Sequence, residues 1–187
     1  MPTMYSKVRI AGHPVHPMLV AFPVAFYTAT LVSFAVYAAT LDLFWWRMGL
    51  WSNAAGVITA VIAAIPGLID WATGIPKGSP AKATGRTHML LNISALALFT
   101  INLLVQANRW AEITAAARVT GEIGTPEPGL ALVLSLLGVA LTGAAGFFGW
   151  KLVQTHHVGV ILNDEQSRYE PSLLDRESAR RHGSSVV

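Results

Sequence analysis

Residues 128–150 read PGLALVLSLLGVALTGAAGFFGW, a run without a single charged side chain. A helix of roughly 20 residues crosses the hydrocarbon core of a bilayer. Three other runs of similar or greater length, residues 10–41, 48–69 and 87–108, also lack Asp, Glu, Lys and Arg. We therefore predict an all-α fold, a membrane-spanning four-helix up-and-down bundle.

The composition of the whole chain agrees with this fold. The chain has 187 residues, of which 12% are charged and 53% are hydrophobic. A disordered chain needs lower hydrophobicity and higher charge, and a soluble domain needs a more charged surface. The absence of cysteine excludes disulfides, thiolate zinc sites and covalently attached haem. Any metal must be held by other ligands, and any haem must be of the b type.

The predicted organisation has three parts: an N-terminal His-Pro segment, a four-helix domain and a polar C-terminal tail. We expect the tail to be solvated, with a short helix from Pro171 as the alternative, and we identify no internal repeat in the sequence. The parts cover residues 1–16, 17–162 and 163–187, and the four spans are placed at about residues 18–41, 48–70, 87–109 and 129–153.

The basic residues indicate topology rather than nucleic-acid binding. They lie in short loops next to apolar segments and form no stripe. More of them lie on the side of the membrane that also holds both termini, which carries Lys7, Arg9, Lys77, Lys82, Arg86 and Lys151, than on the other side, which carries Arg47, Arg109 and Arg118. By the positive-inside rule we predict a multi-pass membrane protein with both termini in the cytoplasm.

The histidines concentrate on one side of the predicted bundle. Up-and-down threading brings five of the six histidines and one carboxylate to the same membrane face, and neutral imidazole is a common ligand for zinc, copper and iron. We predict a metal site at this face, with Asn92 orienting a ligand or a water molecule. The predicted metal ligands are His13, His16, Asp70, His88 and His156, and the predicted axial pair for a haem is His88 and His156.

These predictions leave two alternatives open. The cofactor is either a non-haem ion (iron, zinc or copper) or a b-type haem. The same polar side chains also fit a network that only holds four helices together. His157 is adjacent to His156, and we expect it to contribute little to any site.

Four segments resemble the bacterial membrane protein family called domain of unknown function 2231. They are GHPVHPMLVAFP at 12–23, GLIDW at 67–71, GRTHMLLN at 85–92 and KLVQTHHVGV at 151–160. The resemblance covers roughly residues 9–162 and implies a four-helix membrane protein. The family's polar positions fall on His13, His16, Asp70, His88, Asn92 and His156. Some members are joined to Rieske-type iron–sulfur domains, which implies a redox setting.

Three functions remain in competition. The first is a metal or haem protein that acts in or beside electron transfer. The second is an accessory subunit of a larger membrane complex, with a homo-oligomer as a further option. The third is transport of a metal ion or a proton. Transporters use a charged residue in the middle of the membrane, and the predicted spans contain none there. The sequence does not decide whether the protein is an enzyme. We expect the lipid bilayer as a partner and no nucleic acid.

Overall fold

The computed structural model describes residues 6–160, and within them the chain is almost entirely helical. The polar tail, for which a short helix from Pro171 is the alternative to a solvated segment, lies outside the described residues. The described part begins with a small antiparallel hairpin of two-residue strands. The elements are β1 (Arg9–Ile10), β2 (His13–Pro14), α1 (Val15–Leu19), α2 (Ala21–Thr40), α3 (Leu43–Ile69), a π-helical segment (Asp70–Gly74), α4 (Pro80–Thr120) and α5 (Gly129–Gln154).

Local signals in the sequence set several helix ends. The side chain of Asp42 accepts a hydrogen bond from the backbone N–H of Phe44 and starts α3. Ser79 does the same for Lys82 at the start of α4, and Pro80 follows at the first helical position. Gly121 ends α4 with a φ of 78°, a left-handed conformation that glycine adopts without steric cost.

The helices form an up-and-down bundle whose outer surface is apolar. α2 packs along α3 and α4 along α5, while α2 also contacts α5 and α3 contacts α4. All four spans are long and apolar enough to cross a membrane. Large aliphatic side chains such as Val32, Ile58, Leu104 and Leu136 are exposed on this surface, which suits lipid rather than water. The predicted all-α, four-helix membrane bundle is confirmed.

Three of the four helices depart from the predicted spans, and α3 does so by beginning at Leu43, before the predicted start at residue 48. The first span is divided at Val20 into α1 and α2, so Pro23 occupies the first turn of α2, where its missing N–H is tolerated. The third helix, α4, has 41 residues, far more than the predicted 87–109. His88, the second residue of the predicted span, therefore lies two turns inside α4 and not at the start of the helix.

The two halves of the bundle repeat the same packing contacts. The ring of Tyr27 on α2 stacks on the ring of Phe99 on α4, with centroids 3.7 Å apart and planes 3° from parallel. Each ring also covers a glycine of the neighbouring helix, Tyr27 covering Gly56 and Phe99 covering Gly138. The hairpin of α2 and α3 is thus matched by the hairpin of α4 and α5, a correspondence that the sequence analysis did not identify.

Candidate functional site

His16 lies in α1, at the end of the bundle that carries the N-terminal hairpin. Its Nδ1 is 2.8 Å from the carbonyl oxygen of Ala63 on α3. The ring also lies against Gly67, one turn further along α3, where an added Cβ would be 2.7 Å from the ring atoms Cε1 and Nδ1. A side chain at position 67 would therefore displace the imidazole.

His88 on α4 makes the matching contacts with α5. Its Nδ1 is 2.8 Å from the carbonyl oxygen of Ala145. Its ring lies against Gly149, where an added Cβ would be 3.0 Å from Cε1.

The residues in these contacts have the same sequence spacing as the stacked pair Tyr27 and Phe99 and the glycines that this pair covers. The step from His16 to His88 equals the step from Tyr27 to Phe99. On the partner helices, the steps from Ala63 to Ala145 and from Gly67 to Gly149 both equal the step from Gly56 to Gly138. The two histidines therefore occupy equivalent positions in the two hairpins.

The two imidazole rings, one from each hairpin, lie next to each other in an edge-to-face arrangement. Their centroids are 6.1 Å apart and their planes meet at 84°. A carbonyl oxygen only accepts hydrogen bonds, so Nδ1 carries the proton in each neutral ring. Nε2 of each ring then has the free lone pair that binds metals.

Asn92 lies one turn along α4 from His88, as the sequence predicted. Its amide nitrogen donates a hydrogen bond to the backbone carbonyl of His88 at 2.9 Å. The same nitrogen is 3.5 Å from Nδ1 and 3.2 Å from Nε2 of the ring. A group in the ring plane at these distances from both nitrogens would clash with Cε1, which lies between them. The amide therefore lies over the ring face and does not use the in-plane lone pair of Nε2.

Asp70 binds the N-terminal segment. One carboxylate oxygen accepts hydrogen bonds from the backbone N–H groups of Lys7 at 2.6 Å and Val8 at 3.2 Å. The other accepts from the hydroxyl of Ser6 at 2.7 Å. Asp70 begins the π-helical segment that follows the α3 turn in contact with His16. The carboxylate thus anchors the segment that leads into the His-Pro motif.

The remaining histidines of the predicted site lie apart from this pair. Nδ1 of the exposed His13 is 2.9 Å from the carbonyl oxygen of Ala11, in its own hairpin. Nε2 of His156, just beyond α5, is 3.0 Å from the hydroxyl of Thr84 on α4. Burial, together with the positive charge of Lys151 and the neighbouring His157, lowers the pKa of His156. Among residues 6–160, no three His, Asp or Glu side chains form a group that could hold a metal ion.

Of the five predicted ligands, the described structure therefore brings together His16 and His88. Whether any of the five binds metal stays a prediction. The backbone partners Ala63 and Ala145 and the two glycines that contact the rings were not predicted from the sequence. A signal was present: α3 and α5 share the pattern Gly-x6-Ala-x3-Gly, and each histidine precedes the stacked aromatic residue of its own chain half at the same spacing.

The comparisons with known proteins identify the family and nothing narrower. No curated protein and no solved structure matches the chain. A family model described as a predicted membrane protein, DUF2231, matches residues 12–162. This range contains both hairpins of the bundle and the two facing histidines. The chain belongs to the DUF2231 family of predicted membrane proteins.

Proposed function

We propose that the protein binds a redox-active metal centre between His16 and His88 and takes part in electron transfer at one membrane face. The observation that carries this proposal is the pair of hydrogen bonds from Nδ1 to backbone carbonyls, each 2.8 Å long. Histidines that bind metals through Nε2 almost always donate Nδ1–H in this way. Both rings are thereby held in the tautomer that a metal requires.

The distance between the rings supports a shared metal. A metal lies about 2.0–2.1 Å from an imidazole nitrogen, and hence about 3.2 Å from the ring centroid. Two imidazoles on one metal then have centroids about 5.3 Å apart at a tetrahedral angle and about 6.4 Å apart when they lie opposite each other. The observed separation of 6.1 Å falls between these values.

A b-type haem and a single non-haem ion would use the same two nitrogens. His16 and His88 would hold a b-type haem through their Nε2 atoms, and the haem would supply a one-electron redox change. A copper or iron ion would complete its coordination with water or another small ligand. Because Nε2 of His156 contacts Thr84 and Asp70 accepts three hydrogen bonds, we assign the ligand pair to His16 and His88 instead of His88 and His156.

The proposed centre lies on the cytoplasmic side of a bacterial inner membrane. This assignment rests on the basic residues, which favour the face of both termini. Because the chain has no cysteine, a single introduced cysteine tests it directly. In intact spheroplasts we expect a membrane-impermeant maleimide to label Glu122→Cys and to spare Lys77→Cys, both at exposed loop positions. The reverse pattern would invert the topology.

A second candidate function is that of an accessory subunit in a larger membrane complex, including a homo-oligomer. The contacts of His16 and His88 favour it in one respect, because each ring joins two helices by a hydrogen bond and by packing on a glycine. Such contacts stabilise a bundle without any metal.

Analysis of the purified protein separates these functions. We expect about one metal or haem per chain, and a change in the absorption spectrum on reduction with dithionite. Pyridine extraction and elemental analysis distinguish haem from a free ion. Protein without metal or haem that purifies with stoichiometric partners would refute the redox proposal and support the subunit.

A further inference from the structure

The bundle contains a second polar region, well away from the histidines. Asn53 on α3 lies about 21 Å along the helix from Gly67, at a rise of about 1.5 Å per residue. Its side chain is completely buried, and neither its amide nitrogen nor its oxygen has a hydrogen-bond partner. Three further buried atoms of the described residues share this state: Tyr27 Oη, Trp46 Nε1 and Gln106 Oε1.

The repeat of the two hairpins shows why Asn53 is unusual. Its counterpart in α5 is Ser135, which accepts a hydrogen bond from Asn102 at 2.9 Å. The counterpart of Asn102 in α2 is Thr30, whose hydroxyl donates to the carbonyl of Phe26 in its own helix. In the hairpin of α4 and α5, Asn102 and Ser135 therefore hydrogen-bond to each other. In the hairpin of α2 and α3, the equivalent residues Thr30 and Asn53 do not.

The side chains with unpartnered atoms lie on neighbouring turns of the helices, in the interior of the same bundle. Tyr27 packs on Gly56, which lies within one helical turn of Asn53. The amide nitrogen of Gln106 donates to Asn102, which in turn donates to the carbonyl of Ala131. Ala131 belongs to the same buried cluster as Trp46, together with Phe34 and Tyr37.

We propose that these four side chains bind internal water, at a site between the Tyr27–Phe99 pair and the membrane surface opposite the histidines. The donors and acceptors are complementary: the indole N–H of Trp46 only donates, Oε1 of Gln106 only accepts, and Asn53 does both. A water molecule can accept from one and donate to the other. Because all four side chains are uncharged, a buried ion would have no counter-charge among them, which favours a neutral ligand.

Water at this site gives the membrane domain a hydrated interior in the half remote from the proposed centre. Buried polar atoms in proteins nearly always have a partner, and ordered water is the usual one where no side chain reaches. The inference is independent of the proposed function, because it uses none of the residues around His16 and His88.

The test is water-to-protein magnetisation transfer by NMR on protein labelled with ¹⁵N-tryptophan in lipid nanodiscs. Trp46→Phe identifies the signal of the Trp46 indole. We expect that signal to show a cross-peak to bound water, although the Trp46 side chain is fully buried. The cross-peak should disappear in the double variant Asn53→Leu, Gln106→Leu.

Thr142→Val is the matched control, since its hydroxyl bonds within its own helix to Gly138 at 2.9 Å. This variant should keep the cross-peak. The absence of a water cross-peak at Trp46 in the folded wild-type protein would overturn the proposal whatever the variants do. Its persistence in a folded double variant would also overturn it.

Discussion

His16 and His88 come from equivalent positions in two matching helical hairpins, and their rings meet with centroids 6.1 Å apart. Each ring donates Nδ1–H to a backbone carbonyl of the partner helix in its own hairpin, at the same distance of 2.8 Å. Each also lies on a glycine one turn further along that helix. Two residues far apart in the sequence thus have one structural environment.

The glycine beside each histidine should be required for the position of the ring. In Gly67→Ala the new methyl group would be 2.7 Å from the His16 ring. Overpacking of this kind typically costs about 1–3 kcal/mol of stability. We expect a lower melting temperature in detergent and reduced binding of any metal. Gly146→Ala is the control, because nothing lies within 4 Å of its added Cβ. Equal melting temperatures for the two variants would show that the contact is unimportant.

Asp70 should anchor the N-terminal segment rather than bind metal. Asp70→Asn replaces one accepting oxygen by an amide, and a lost hydrogen bond to a charged acceptor is worth about 1.5–3 kcal/mol. We expect faster trypsin cleavage after the exposed residues Lys7 and Arg9, with metal content unchanged. Asp42→Asn, a helix cap at the opposite end, should leave this cleavage rate as it is. A loss of metal from the folded Asp70 variant would instead favour the predicted ligand role.

Acid should destabilise the protein in part through His156. Its pKa is lowered in the folded state, mainly by burial, so the unfolded chain binds the proton more readily. At high pH the ring is neutral in both the folded and the unfolded state. As the pH drops below about 6.5, the ordinary pKa of histidine, the unfolded chain binds the proton first and the folded state loses stability. Thermal unfolding between pH 8 and pH 5 measures this loss. His156→Gln should reduce the slope, and an unchanged slope would assign the effect to other groups.

The sequence predicted the architecture well because lipid imposes a simple rule. Four charge-free runs require four helices, and the last span, predicted at 129–153, matches α5 within one residue. The ends of α4 were missed, since Pro80 and Gly121 delimit a helix that extends beyond the apolar run. Hydropathy identifies the part of a helix that lies in lipid. It does not show how far the same helix continues as a polar segment outside the lipid.

The candidate site was predicted only in part. The sequence placed His16 and His88 at one membrane face, but it could not choose their partners among five histidines at the same level. The partners are backbone carbonyls of Ala63 and Ala145, and any residue type has such a carbonyl. The repeated spacing of alanine and glycine in α3 and α5, together with the equal spacing from each histidine to its stacked aromatic residue, is the sequence signal for the pairing.

The central claim is that His16 and His88 together bind one metal centre. The most direct test is the metal and haem content, with the absorption spectrum, of His16→Ala and His88→Ala compared with His13→Ala, His156→Ala and His157→Ala. Helix content by circular dichroism controls for folding. We expect the first two variants to lose the centre and the other three to keep it. Folded His16 and His88 variants that retain full metal and an unchanged spectrum would contradict this claim.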